Sequence, residues 1–196
     1  MEFTPVQTWM LFLLLLVNFA IPALGARIGD RGHGTEVWFA SLRKPAGYPD
    51  EALFTPVWCA VAIVTGVAGW LIWGQSLNAD TTLPAAQTAL VLYGFALGFN
   101  ALWQGVSIGM RRLGRGLAWG WLTWGTITLT GLYAAAGGRW VWVWLLPYWL
   151  WTGYGLKLNY SLWHLNRPAP APAVVAPQPA PPDPLPPPPE NGTPRE

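Results

Sequence analysis

Two stretches of the chain carry aromatic, small and amide side chains at helical spacing. Tyr93, Ala96, Asn100 and Trp103 recur at intervals of three and four residues, as do Tyr148, Trp151, Gly155 and Asn159. At about 100° per residue, each set falls within roughly an 80° arc of a helix. Aromatic faces, a small residue that leaves room and an amide are what would line a pocket for a flat, mostly apolar ligand. The same residues also suit helix–helix packing, with asparagine as an interhelical hydrogen-bonding group. Spacing does not choose between the two. Asn100 and Asn159 are costly in hydrocarbon, so each faces protein or a cavity, as a bridge or as a ligand contact.

Catalytic constellations are absent from the sequence. There is no Walker loop, no zinc-ligand spacing and no Ser-His-Asp set, and Cys59 is the single cysteine. No Asp or Glu falls inside an apolar segment, which argues against proton relay or ion-coupled transport. His33 and His164 are possible axial ligands for haem iron, but both are expected at the edge of the apolar segments, where a lone histidine is ordinarily solvated. Lys157 is the one charge inside an apolar segment, which by default marks a functional position. It lies about 180° from the centre of the Tyr148–Asn159 stripe and about 10 Å along the axis from His164. Snorkelling to the interface or a helix contact accounts for it. The alternative, a salt bridge to a ligand carboxylate, needs a site on that other face.

These residues must be positioned by membrane helices. Of 196 residues, 53% are hydrophobic and only 10% charged, with mean hydropathy +0.30. A soluble domain carries about 25% charged residues. A net charge of +2 gives no reason to expect a nucleic-acid partner. Fifteen tryptophans, many of them mid-segment, exceed an interfacial belt. A helix crossing the ~30 Å hydrocarbon layer needs about 20 apolar residues. Five stretches qualify, at about 8–26, 53–74, 85–110, 116–136 and 140–165. The expected fold is therefore an all-α membrane protein, a bundle of five transmembrane helices spanning residues 1–166.

The loops alternate in charge. The first holds Arg27, Arg31, Arg43 and Lys44, the second no Lys or Arg, the third Arg111, Arg112 and Arg115, and the fourth Arg139 alone; Arg167 follows the last span. The positive-inside rule then puts the N-terminus outside and the C-terminus in the cytoplasm, with a bacterial cytoplasmic membrane as the expected site. A cleaved signal peptide is the alternative for the first segment, because Ala23-Leu24-Gly25-Ala26 resembles a cleavage site. The stretch lacks the basic start of such a peptide. Residues 167–196 hold 13 of the 20 prolines and are expected to be a disordered tail of polyproline character, either solvated or a docking segment.

The first loop, 27–52, is long for a compact bundle. Its Trp38, Phe39, Pro45, Tyr48 and Pro49 argue for a packed lid. Arg43 and Lys44 sit near the expected mouth, as topology-setting charges or as partners of an anionic ligand group. Gly94/Gly98, Gly105/Gly109 and Gly116/Gly120 are small-residue spacings that let helices approach, within the bundle or, on the third span, across a dimer face.

Four motifs in order carry a resemblance. They are Trp38-Phe39-Ala40-Ser41-Leu42-Arg43-Lys44-Pro45 with Pro49 and Pro56-Val57-Trp58; Leu92-Tyr93 with Asn100 and Trp103, ending at Gly109; Pro147-Tyr148-Trp149-Leu150-Trp151; and Leu158-Asn159 with Trp163. Over residues 8–166 the chain resembles the TspO/MBR family of tryptophan-rich sensory proteins and translocator proteins. The resemblance implies a five-helix bundle, commonly a homodimer, with a ligand cavity under the first loop. It implies binding of porphyrin, haem or similar tetrapyrroles, with no obligatory cofactor. Some bacterial members degrade porphyrin in light, and a transporter of tetrapyrroles or lipids is a further alternative. The implied ligand-binding set is Trp38, Pro45, Pro49, Trp58, Tyr93, Asn100, Trp103, Tyr148, Trp151, Gly155 and Asn159, in contact with membrane lipid outside. The chain departs from the family pattern at Gly47, Asp50, Ala96 and Ser107-Ile108-Gly109. No Lys or Arg falls within the five residues after Tyr160, so sterol binding is not expected.

Overall fold

A reciprocal cap starts the first helix. The Gln7 N–H donates to the Thr4 hydroxyl while the Thr4 N–H donates to the Gln7 side chain, and Pro5 supplies the preset backbone of the first turn. The structure, a computed structural model, describes residues 4–29, 32–77, 83–137 and 140–167. Among these every element is helical: α1 (Pro5–Arg27), α2 (His33–Ser41), α3 (Glu51–Ser76), α4 (Leu83–Gln104), α5 (Leu113–Ala136) and α6 (Leu146–Asn166). A π-helical turn, Gly105–Gly109, extends α4, and a 3-10 turn, Trp140–Leu145, leads into α6. Asp50 starts α3 by accepting the Ala52 N–H at 3.0 Å.

Around the bundle the order is α1, α4, α5, α6, α3, with α3 closing back on α1 and touching α4 across the middle. Glycines set the closest approaches. A Cβ on Gly25 would lie 2.5 Å from the Ala101 backbone, so α1 and α4 touch main chain to main chain; one on Gly116 would overlap the Ser107 hydroxyl. Gly105 likewise sits against Ile28. Two of the three glycine spacings thus serve packing inside the bundle, while Gly94 and Gly98 have nothing within 4 Å of a Cβ and face outward.

Several polar side chains are buried in the core while large apolar ones face outward. Asn18, Thr65, Asn100, Thr123, Thr130, Thr152 and Asn159 are buried, whereas Trp9, Leu16, Trp121, Leu132 and Leu150 are exposed. Thr123, Thr130 and Thr152 satisfy their hydroxyls on the carbonyl four residues back. An exterior this apolar, over helices whose backbone groups are satisfied internally, suits lipid as the solvent. Three helical stretches, Pro5–Arg27, Ala52–Ser76 and Pro84–Gly109, are long and apolar enough to cross a membrane, with mean hydropathy 2.1, 1.8 and 1.3. α5 and α6 have spanning length at 24 and 21 residues, but their Trp, Thr and Gly content lowers the index.

The helix count differs from the expected five. The lid segment 27–52 is not loop throughout: nine of its residues form α2. Glu36 in its first turn suits the helix dipole, and the Gly32 that precedes it adopts φ 59°. The last span is not one α-helix either, since Trp140–Leu145 winds as 3-10 before α6 begins at Leu146. The proline-rich tail lies outside the described residues.

Candidate functional site

Beneath α2 the bundle forms a cavity of about 320 Å³ whose walls are mostly apolar and carry seven aromatic rings. α3 contributes Phe54 and Trp58, one helical turn apart. α6 contributes Trp151, Tyr154, Gly155, Leu158, Asn159 and Leu162 from a single face. α4 and its π turn contribute Trp103, Gln104, Ser107 and Ile108, and the lid adds Phe39 and Tyr48. Ser107 and Ile108 lie within the π turn, and such turns recur at functional positions.

The rings form a continuous series from lid to floor. Tyr48 lies 5.7 Å from Phe54, Phe54 lies 5.8 Å from Trp151, and Trp151 meets Trp58 edge-on at 6.0 Å and 84°. The Lys44 ammonium sits over both lid rings, 5.4 Å from Phe39 and 5.3 Å from Tyr48. Trp103 is held against two glycines: a Cβ on Gly155 would come within 3.0 Å of its ring, and one on Gly120 within 2.9 Å. Its indole N–H donates to Asn159 Oδ1.

Five residues of the sequence-derived set line this cavity: Trp58, Trp103, Trp151, Gly155 and Asn159. Both stripes split along their length. Tyr93 lies deeper, where its hydroxyl accepts from the Asn18 amide and donates to the Thr65 carbonyl at 3.0 Å. Gly69 makes room for its ring. Asn100 and Tyr148 border a separate internal void of about 20 Å³, whose wall includes the far side of Trp58. Trp38 faces away from the cavity on the other side of α2. Pro45 and Pro49 are half-buried in the lid but outside the cavity wall. Asn159 is a bridge: its Oδ1 accepts from Trp103 and Ser107 and its Nδ2 donates to the Leu113 carbonyl.

The set omitted Phe39, Tyr48, Phe54, Ser107, Tyr154 and Leu158. Phe54 and Ser107 stand four residues from Trp58 and Trp103, so the i, i+4 rule applied to the named tryptophans reaches them. Neither histidine lines the cavity. His33 pairs with Glu36 at 3.6 Å, both exposed. Lys157 is exposed in an outer groove with Trp121 and Tyr160, opposite the cavity.

The basic residues gather at the lid end. Arg43 and Asn166 exchange two hydrogen bonds, 2.9 and 3.0 Å, tying the first loop to the end of α6. The Arg111 guanidinium lies over the Trp38 ring at 5.8 Å. Arg112, Arg115 and Arg167 border the same region.

An all-helical bundle with an apolar exterior and a cavity lined by aromatic rings beneath a short helix defines the class, an integral membrane protein. The sequence profile of the TspO/MBR family matches residues 5–164, and the chain belongs to that family. It is similar to a tryptophan-rich sensory protein of Cereibacter sphaeroides, 29% identical over 111 residues, covering 56% of this chain. The match spans 62% of that relative's length.

Proposed function

We propose that the protein binds a flat hydrophobic ligand of the porphyrin or haem type in the cavity beneath α2, in a sensory or regulatory role. The observation that carries this reading is the ring series Tyr48, Phe54, Trp151 and Trp58 around an apolar space of about 320 Å³. That volume falls in the roughly 300–1,000 Å³ range of small-molecule pockets. Recognition would rest on stacking and burial against the indoles. Iron ligation by histidine or cysteine is not part of it, because neither residue type borders the cavity. A tetrapyrrole is wider than this space, so the ligand's polar edge would emerge at the lid near Lys44. The test is purification in mild detergent and identification of the pigment or lipid that accompanies the protein. A co-purified tetrapyrrole supports the reading; a cavity filled only by bulk lipid counts against it.

The topology consistent with this reading is five crossings by α1, α3, α4, α5 and α6, with the lid end in the cytoplasm of a bacterial inner membrane. The gathering of arginines at the lid end supports that orientation. A homodimer through α4 is part of the same proposal. An outward groove there is formed by Val91, Gly94, Phe95, Gly98, Phe99 and Leu102, suited to close helix approach.

A second reading is light-driven oxidation of bound porphyrin with dissolved dioxygen as the oxidant. It is favoured by two readily oxidised indoles, Trp58 and Trp151, in mutual contact on the cavity wall. Loss of porphyrin absorbance on illumination of the purified complex, absent in the free pigment under the same light, would establish it.

A further inference from the structure

A second concavity of about 350 Å³ lies at the lid end, between α2, the α4–α5 turn and the end of α6. Its wall holds four guanidinium groups, those of Arg111, Arg112, Arg115 and Arg167, together with Trp38 and Trp163. Among the described residues no carboxylate lines it, and none comes within ion-pairing distance of these arginines. Four like charges around one space repel each other unless an anion joins them.

Several local features add to the positive field of this concavity. Arg111 is held at φ 57°, the left-handed region that a residue with a Cβ adopts only at a cost. Its guanidinium stacks over Trp38, and Gly34 on α2 leaves room for its Nη2. Its Nε is buried and makes no hydrogen bond, a donor without an acceptor. The Arg167 guanidinium is similarly placed over Trp163, at 5.9 Å. α5 begins here with no side-chain cap from Arg112, so its first amide N–H groups and the positive end of its dipole add to the same field. The exterior beside the concavity is apolar, as at Met110 and Leu165.

We infer that this concavity binds the phosphate of an anionic lipid headgroup, with the acyl chains lying along the bundle. Arginine forks match phosphate oxygens in pairs. The position at the ends of α4, α5 and α6 is where headgroups lie when these helices cross a bilayer. The site is separate from the aromatic cavity and does not depend on what that cavity holds. A free phosphate ion presents the same chemistry, and the test separates the two sources.

The full chain in neutral detergent is titrated with phosphatidylglycerol or phosphatidylcholine, and bound lipid is counted by native mass spectrometry. Phosphatidylglycerol should bind on the order of tenfold more tightly than phosphatidylcholine. Arg112→Gln with Arg115→Gln, both exposed positions, should remove most of that preference and leave phosphatidylcholine binding unchanged. Arg112→Lys with Arg115→Lys keeps the charge without the fork and should retain part of it; this pair carries the test if the glutamine pair does not fold. Inorganic phosphate displacing the lipid at millimolar concentration would assign recognition to the phosphate group alone. Failure to displace it would assign recognition to the intact lipid. Equal affinity for the two lipids, or unchanged phosphatidylglycerol binding in the glutamine variant, overturns the inference.

Discussion

Trp103 donates its indole N–H to Oδ1 of Asn159 at 2.7 Å, joining α4 to α6 across the floor of the cavity. Ser107 donates to the same oxygen at 3.1 Å, and Asn159 Nδ2 reaches the Leu113 carbonyl at 3.3 Å. One buried amide therefore ties three helical segments. Asn159→Leu would leave the Trp103 N–H and the Ser107 hydroxyl without their shared acceptor. Each unsatisfied buried group costs about 1–3 kcal/mol, so thermal unfolding of the variant in detergent should begin many degrees below wild type. An unchanged midpoint would mean that water or another residue replaces the amide.

Gly155 bears on the ligand more than on the fold. An added methyl would stand 3.0 Å from the Trp103 ring, and that ring borders the cavity. Gly155→Ala should push the indole into the cavity, at about 1 kcal/mol in stability and a several-fold loss of porphyrin affinity. Absorption titration beside thermal unfolding separates the two effects. Full affinity in this variant would remove Trp103 from the ligand's surroundings.

The helical faces were legible in the sequence, because period and polarity fix which side of a helix is apolar or small. The level along the axis was not. Tyr93 and Trp103 share one face of α4, yet Tyr93 is engaged by Asn18 from α1 and only Trp103 reaches the cavity. The partner of a buried hydroxyl depends on how α1 stacks on α4, through Gly25 against Ala101, and periodicity carries no such information. α2 was missed because a nine-residue helix among glycines and charges has little amphipathic signal. Trp38 and Phe39 are neighbours in sequence, so α2 turns them to different sides, Phe39 to the cavity and Trp38 to Arg111. The lid's aromatic content was readable; its orientation was not.

The outward glycines of α4 make a prediction about assembly. A Cβ at Gly94 or Gly98 meets nothing within 4 Å in the monomer, so Gly98→Leu should fold with wild-type stability. If the α4 groove is a homodimer interface, the variant should sediment as a monomer in detergent where wild type sediments as a dimer. Identical sedimentation would assign the groove to lipid.

Orientation is testable independently of any ligand. A reporter fused after Arg167 should be active only on the cytoplasmic side, the side to which the lid-end arginines point by the positive-inside rule. Activity on the opposite side would reverse the bundle or remove α1 from the count of crossings.

The central claim is that Trp58 and Trp151, 6.0 Å apart and edge-to-face, hold the ligand. Phenylalanine at either position keeps an aromatic face but loses part of the ring area and the N–H. Each single variant should weaken porphyrin binding by ~1 kcal/mol, about fivefold. The decisive measurement is a porphyrin titration of wild type, Trp58→Phe and Trp151→Phe, followed through the Soret band, because fifteen tryptophans contribute to fluorescence quenching. A fivefold weakening in each variant, with unfolding temperatures near wild type, is the result predicted. Wild-type affinity in both variants, or no saturable binding by wild type, would contradict the assignment of this cavity to a tetrapyrrole.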